Sequence, residues 1–271
     1  MIHWFPGHMH KATKLLQRIF PQIDVAIEVV DARAPDATIN PVLHQIAKTI
    51  PIIKVLSRKD LADPVLTKQW LAFYQGKAIA MDIHRAKREA ENLIKLCTKL
   101  CQKNHPQKGS VLKPIRAAVI GLPNLGKSTL INVLANKKIA KTGNEPAITK
   151  IQQKIEISKN FYLYDTPGIM FPSPKNELCG YKLAVIGAIK DTAMDYLSAA
   201  NFLIEYLQQY YPSFFKQRFK LDDMALSSEM LLNKIGQHMG QSNTHHIAEK
   251  IIYDFRRGRI GKISLEAPSD I

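Results

Sequence analysis

The clearest chemical feature of the sequence is a loop suited to holding the phosphates of a nucleotide. Residues Gly121–Ser128 read GLPNLGKS, which fits the pattern GxxxxGK[ST] between the apolar segment Ile115–Ile120 and a predicted helix over Thr129–Ala135. In such a loop the backbone amides point at phosphate oxygens, the lysine adds positive charge beside the β and γ phosphates, and the hydroxyl binds Mg²⁺. We therefore assign phosphate binding to the loop with Lys127, and metal binding to Ser128.

A second motif indicates the other side of a phosphate site. Residues Asp165–Gly168 read DTPG and follow the predicted strand Phe161–Tyr164. We expect Asp165 to reach Mg²⁺ through water and the amide of Gly168 to contact a γ-phosphate. Between the two motifs, Thr149 is a candidate switch threonine that would close on Mg²⁺ only when the γ-phosphate is present. An ordinary loop threonine explains Thr149 as well.

A third segment, after the predicted strand Pro51–Leu56, could select the base. It reads SRKD and resembles the guanine-recognition motif NKxD, so we predict nucleotide contacts at Ser57, Arg58, Lys59 and Asp60. The carboxylate of Asp60 can accept both the N1 and N2 hydrogens of guanine, and the stem of Arg58 can lie along the base. Ser57 lacks the amide that usually braces the neighbouring loops, which predicts lowered guanine affinity. A helix start at this segment, and an ATPase without base selectivity, remain alternatives.

The elements that must position these motifs alternate between strands and helices. Short apolar runs at Ile23–Val30, Pro51–Leu56 and Lys77–Met81 are separated by amphipathic stretches, a pattern typical of a mainly parallel sheet. From about Glu177 onward the strand signal disappears, and the periodicity predicts helices over Leu183–Ile189, Tyr196–Gln209 and Ser227–Gln237. We therefore predict an α/β domain over residues 1–175 with a doubly wound, mainly parallel sheet, followed by a small all-α domain over residues 176–271.

The order of the motifs is unusual, because the guanine segment precedes the phosphate loop by more than sixty residues. In ordinary small GTPases it follows the loop, so this order corresponds to a circular permutation of the Ras-like P-loop fold. The chain resembles the circularly permuted GTPases, and among them the ribosome biogenesis GTPase A family (YlqF/RbgA). Beside the phosphate loop and DTPGI, the resemblance rests on WFPGHM at residues 4–9, DARAP at 31–35 and GAIKD at 187–191.

The resemblance implies a GTP hydrolase that binds a late precursor of the large (50S) ribosomal subunit. Such a protein promotes maturation of the particle and leaves after hydrolysis to GDP, and its C-terminal helical domain binds RNA. The implied nucleotide contacts in the loop are Asn124, Leu125, Gly126, Lys127, Ser128 and Thr129. An RNA-binding scaffold that holds GTP as a structural ligand with little turnover is the alternative.

The catalytic group is not the usual one. Ras-like GTPases orient the attacking water with a glutamine just after DxxG, but here Ile169 occupies that position, which predicts slow intrinsic hydrolysis. The resemblance implies that His8 serves instead, beside Lys127; a hydrogen bond within an N-terminal turn would also explain His8. It further implies that Asn124 helps bind K⁺ next to the phosphates, although a tight loop also tolerates asparagine. We assign no catalytic role to Asp31 or Arg33, since a turn with a local ion pair explains them.

Composition favours a folded protein with a polyanionic partner. The 271 residues are 46% hydrophobic and carry 38 Lys and Arg against 23 Asp and Glu, a net charge of +15. Clustered cations gain affinity for a phosphate backbone by releasing counterions, so ribosomal RNA is the expected partner, although a diffuse solvated surface is an alternative. No DNA or membrane partner is expected, because no stretch approaches the roughly 18 apolar residues of a membrane span. Three cysteines fit a reduced compartment, and Cys97 and Cys101, four apart in a predicted helix, should pack on one helix face. We expect a cytoplasmic protein.

Overall fold

The computed structural model describes residues 7–82, 86–104, 113–137, 154–170 and 173–270, except the side chains of residues 7–10, 103 and 104. Six strands within these ranges form one sheet in the spatial order β3-β2-β1-β4-β6-β5. They are β1 (Val25–Asp31), β2 (Ile52–Ser57), β3 (Ala78–Met81), β4 (Ile115–Ile120), β5 (Lys154–Ser158) and β6 (Phe161–Asp165). All neighbours pair in parallel except β5, which is antiparallel to β6. The prediction of a mainly parallel sheet is confirmed.

The sheet topology fits the permuted order of the motifs. β4, which leads into the phosphate loop, lies between β1 and β6, while the guanine segment follows β2 on the far side of β1. Every residue of β1 is buried, including its acidic side chains. The ends of β4, β6, β1 and β2 therefore bring the three motifs to the same edge of the sheet, although the guanine segment comes first in the chain.

Helices pack on the sheet through apolar stripes and begin at recognisable caps. The Asp63 carboxylate, for example, accepts hydrogen bonds from the amides of Val65 and Leu66 and so caps the third helix. In the fourth helix Cys97 and Cys101 are both buried on one face, as their spacing predicts. The helices around the sheet are α1 (Gly7–Ile19), α2 (Pro41–Ile46), α3 (Pro64–Phe73), α4 (Lys87–Asn104) and α5 (Lys127–Ala135).

The C-terminal part is helical, as expected. Its helices are α6 (Glu177–Ile186), α7 (Tyr196–Tyr210), α8 (Pro212–Phe219), α9 (Ser228–His238) and α10 (Thr244–Arg256). The sequence places the start of α6 at Leu183, but the helix begins six residues earlier, where the Asn176 side chain caps it. It ends at Ile186, and the following Gly187, with a left-handed φ of +80°, terminates the helix. A domain boundary at residue 175 stays a prediction.

A segment beyond α10, residues 263–266, crosses back onto the sheet domain. The Ile263 amide donates to the Leu61 carbonyl at 3.0 Å, and the Leu265 amide to the Arg33 carbonyl at 2.6 Å. The indole of Trp70 donates to the Glu266 carbonyl at 3.2 Å. This strap, as we call residues 263–266, supports the loops that follow β1 and β2. None of the helices within the described ranges combines the length and the apolar character of a membrane span.

Candidate nucleotide site

The phosphate loop has the backbone curvature that its sequence predicts. Gly121, Asn124 and Gly126 have positive φ values of 139°, 60° and 94°. A Cβ on Gly121 would lie 2.6 Å from the Val29 carbonyl oxygen, so the loop packs directly against β1. The helix after it begins at Lys127, two residues earlier than predicted, which puts Lys127 and its two successors in the first turn. A helix N-terminus offers free amides and a partial positive charge to an anion.

Lys127 is folded back into its own loop. Its Nζ donates to the Leu122 carbonyl at 2.6 Å, and the side chain is buried. Burial lowers the pKa of the Lys127 ammonium from 10.5 to about 8, an effect that the nearby Asp165 charge partly opposes. A Cβ on Gly168 would lie 2.8 Å from this Nζ, so the loop after β6 approaches the lysine as closely as only glycine allows.

Asp165 reaches the same place from the neighbouring strand. It is buried at the end of β6, where it pairs in register with Val119 of β4. The Thr166 hydroxyl donates to the Val119 carbonyl at 2.6 Å and fixes the DTPG turn against the strand that leads into the phosphate loop. The two motifs therefore meet, as predicted. A hydroxyl at Ser128 and a carboxylate at Asp165 are oxygen ligands of the kind that Mg²⁺ prefers; Thr149 lies outside the described residues.

The guanine segment meets the phosphate loop through Arg58. This residue has a left-handed φ of +57°, and its Nη2 donates to the Asn124 carbonyl at 2.8 Å. The Ser57 hydroxyl stays within the sheet and donates to the Val30 carbonyl at 2.9 Å. A brace between the two loops is therefore present, but Arg58 supplies it in place of the missing asparagine amide. The sequence does not predict this bond, because it joins residues 66 positions apart.

The other two residues of the segment point in different directions. Asp60 is exposed at the tip of the loop, where a base could approach its carboxylate. The Lys59 ammonium binds the Glu89 carboxylate of α4 at 2.8 Å, which holds the loop against that helix. The segment is thus anchored on both sides of its exposed aspartate.

Asp31 and Arg33 form the predicted ion pair, but in the interior. The Arg33 Nε and Nη2 donate to the two carboxylate oxygens of Asp31, each at 2.9 Å, and both side chains are almost completely buried. Because the Arg33 and Arg58 cations lie beside it and outweigh the effect of burial, the pKa of Asp31 is lowered. The pair is therefore ionised and extends beyond a local turn.

The residue in the glutamine position is part of the core. Ile169 is completely buried, and its carbonyl accepts a 2.6 Å hydrogen bond from the side-chain amide of Asn40. The same Asn40 side chain accepts from the Val42 amide and caps α2. Sequence reasoning missed Asn40, although an asparagine before a proline is a signal for a helix start. His8 belongs to α1, and its side chain lies outside the described part of the chain.

The basic residues near the C-terminus divide into two groups. Arg256 faces inward, and its guanidinium donates to the Ala184 and Val185 carbonyls of α6 at 2.8 and 3.1 Å. Exposed Tyr253 instead lies beside two exposed guanidinium groups, with Arg257 at 5.2 Å and Arg259 at 5.3 Å from the ring centroid. An aromatic ring with flanking arginines is a surface suited to nucleotide bases and phosphates.

A further acidic residue organises this exposed basic surface. Asp254 is completely buried, and its carboxylate accepts from Lys250 and Arg218, each at 2.5 Å, and from Arg259 at 3.3 Å. One negative charge thus holds three cations together, which leaves a local positive excess. These cations are therefore held in place by a buried charge and are more than a solvated helix face.

Comparisons with known proteins agree with this geometry. A family model described as "50S ribosome-binding GTPase" matches residues 116–212. Ribosome biogenesis GTPase A of Bacillus cereus is 36% identical over 100% of this chain and 95% of its own length. The same protein of Priestia megaterium is 38% identical over 99% of this chain and 98% of its own length.

Solved structures share the fold. The crystal structure of GNP-bound YlqF from T. maritima matches with a TM-score of 0.67 and 21% identity, over 96% of this chain and 100% of that one. A GDP-bound YlqF structure matches with the same TM-score and 20% identity, over 94% of this chain and 100% of that one. The permuted GTPase fold is thus confirmed. With its phosphate loop, DTPG turn and guanine segment at one edge of the sheet, the chain is a GTP hydrolase that belongs to the ribosome biogenesis GTPase A family.

Proposed function

We propose that this GTPase binds a late precursor of the large ribosomal subunit, promotes its maturation and dissociates after hydrolysing GTP. The observation that carries the nucleotide half is the Arg58 bond to Asn124, which joins the guanine segment to the phosphate loop at 2.8 Å. The ribosomal half is supported by full-length relatives named for ribosome biogenesis and by the net charge of +15.

Nucleotide binding starts with the release of Lys127 from its own loop. The Lys127 ammonium leaves the Leu122 carbonyl and binds the β and γ phosphates. The negative phosphates stabilise the positive charge of this ammonium, which burial disfavours. The helix N-terminus at Lys127–Thr129 and the amides of Leu125 and Gly126 contact the phosphates. Asp60 accepts the N1 and N2 hydrogens of guanine from its exposed position.

Mg²⁺, when bound, supplies charge that neutralises the transferred phosphoryl group. The Ser128 hydroxyl would hold it directly and the Asp165 carboxylate through water, with Thr149 as the proposed third contact. Asn124 would contribute to a K⁺ site beside the phosphates. Gly168 offers its amide to the γ-phosphate, and its lack of a side chain leaves room for Lys127.

Intrinsic hydrolysis is proposed to be slow, because the buried Ile169 cannot orient a water molecule. His8 in α1 would supply that function when the ribosomal particle positions the helix. Catalysis is then mainly positioning and electrostatic stabilisation, which is the usual situation for phosphoryl transfer.

The proposed partner is ribosomal RNA of the precursor particle. An exposed surface combines an aromatic ring with positive charge, and consists of Tyr253, Arg257 and Arg259. Asp254 holds two further cations beside it, Lys250 and Arg218. Such a surface can stack on an unpaired base and neutralise adjacent phosphates. Lys262 is exposed and continues the positive surface toward the strap.

The decisive experiment is the multiple-turnover hydrolysis rate with and without large ribosomal subunits, in K⁺ and in Na⁺ buffer. We expect the subunits to stimulate hydrolysis strongly, and this stimulation should require K⁺. The stimulation should be lost in His8→Ala and retained in His10→Ala, the matched control in the same helix. Ile169 in the glutamine position favours one rival, an RNA-binding scaffold that keeps GTP as a structural ligand. A slow rate that subunits do not change would support the scaffold and contradict the proposal.

A further inference from the structure

The role of Asp31 and Arg33 becomes apparent from what surrounds them. The Asp31 carboxylate binds two guanidinium groups, because Arg58 Nη1 donates to its Oδ2 at 3.0 Å in addition to the bonds from Arg33. Both arginines also donate to one more acceptor, the Ile186 carbonyl, at 3.2 Å from Arg33 and 3.1 Å from Arg58. We call Asp31, Arg33 and Arg58 the arginine fork.

The shared acceptor is the last residue of α6. The final carbonyls of a helix have no partner within the helix and carry a partial negative charge, so cations stabilise them. Here the fork binds the Ile186 carbonyl, while Arg256 of α10 binds the two preceding carbonyls. The ring of Phe255 in α10 also lies 5.1 Å from the Arg33 guanidinium carbon. The end of α6 is thus held between the sheet domain and α10.

The fork links this helix end to the nucleotide site through one side chain. Arg58 Nη1 binds Asp31 and Ile186, and Nη2 of the same planar guanidinium binds the Asn124 carbonyl in the phosphate loop. Because the group is planar and its donors diverge at fixed angles, a shift of Ile186 away from Arg58 cannot leave all three bonds intact. Asp31 is completely buried and sets the position of the guanidinium. A displacement at the end of α6 therefore changes the support of the phosphate loop.

We propose that the arginine fork couples nucleotide affinity to the docking of the α6 end, with Asp31 and Arg33 as positioning residues for Arg58. The inference rests on the proposed function, since a ribosomal particle bound to the helical part would be the partner that shifts α6. By linkage, nucleotide binding at the loop must change the stability of the α6 end by the same factor.

The test perturbs the end of α6 through Arg256, whose hydrogen bonds go to α6, Asp191 and Met194. Arg256→Ala removes the bonds to Ala184 and Val185, and we expect it to weaken GDP binding by about fivefold or more, the lower range of measured coupling. In the Arg58→Met background the same substitution should have no further effect. Lys216→Ala is the matched control, because it removes a cation from the same helical part that donates to the Asp222 carbonyl and not to α6.

Equal losses in both backgrounds, or no loss from Arg256→Ala, would overturn the inference. If Arg256→Ala does not fold by circular dichroism, hydrogen exchange of the full-length protein replaces it. The Gly187 and Ala188 amides donate to Ala184 and Leu183 at the end of α6. Saturating GDP should slow their exchange in the wild-type protein and leave it unchanged in Arg58→Met; no slowing in wild type would refute the coupling. Absence of GDP binding to the wild type would instead contradict the proposed function.

Discussion

Lys127 should take up a proton when nucleotide binds, because burial within its own loop lowers its pKa to about 8. The phosphates of a bound nucleotide favour the charged ammonium, so the complex binds more protons than the free protein above about pH 7. Affinity for nucleotide should therefore fall as the pH rises through 8. Below that range Lys127 is already charged in the free protein, and the dependence disappears.

The size of the effect follows from the pKa. At about pH 8.5 roughly three quarters of the Lys127 side chains are neutral in the free protein, compared with roughly one tenth at about pH 7. Binding of GDP at about pH 8.5 should take up roughly 0.8 proton, and the affinity should be roughly fourfold lower than at about pH 7. The phosphates of GDP do not contribute at the higher pH, because their last pKa lies near 6.

Isothermal titration calorimetry in two buffers of different ionisation enthalpy measures this uptake directly. Asp60→Asn is the control, since it weakens the base contact and leaves Lys127 in place, so its proton uptake should equal that of the wild type. An uptake near zero at the higher pH would refute the reasoning. So would an unchanged uptake in Lys127→Gln.

Three other predictions follow from the contacts around the site. Asn40→Ser keeps a cap on α2, but the serine side chain cannot reach the Ile169 carbonyl. The free energy of unfolding, measured in urea, should therefore fall by about 1–3 kcal/mol. A variant as stable as wild type would show that this hydrogen bond contributes nothing. Arg257→Glu combined with Arg259→Glu should reduce the slope of log RNA affinity against log salt concentration by about 2, as measured by fluorescence anisotropy. The affinity for GDP should not change. An unaltered slope would show that this surface does not contact RNA. Asp60→Asn should shift preference from GTP toward xanthosine triphosphate in a competition titration, and retained GTP preference would argue against guanine reading by this carboxylate.

How far the sequence predicts the site depends on whether the partners are near in the chain. The phosphate loop and the DTPG turn are contiguous patterns with a strand beside them, so their positions and their meeting could be predicted. The bonds that give Arg33 a role join it to Ile186, 153 positions away. No local periodicity encodes such a contact, and the pair therefore looks like an isolated turn.

The helices show the same distinction. α10 lies outside the predicted helices, although its buried Ile247, Ile251 and Phe255 are spaced four apart, which is a sufficient signal for a helix. α8 is only eight residues long and begins at Pro212. Its apolar pattern is too short to indicate a helix, and the proline suggests a break in the chain. The pattern starts α6 too late because Gly180 and Lys182 interrupt its apolar residues, whereas the capping by Asn176 depends on a side-chain bond.

The strap is synthesised long after the loop that it supports. The amide of Asp63, just after the guanine segment, donates to the Ser264 hydroxyl at 3.1 Å, and these residues are 201 positions apart. During translation the guanine segment thus leaves the ribosome long before the residues that fasten it. Its loop gains this support only after residues 263–266 have emerged, so a nascent chain already carrying all three nucleotide motifs still lacks part of the frame that holds them.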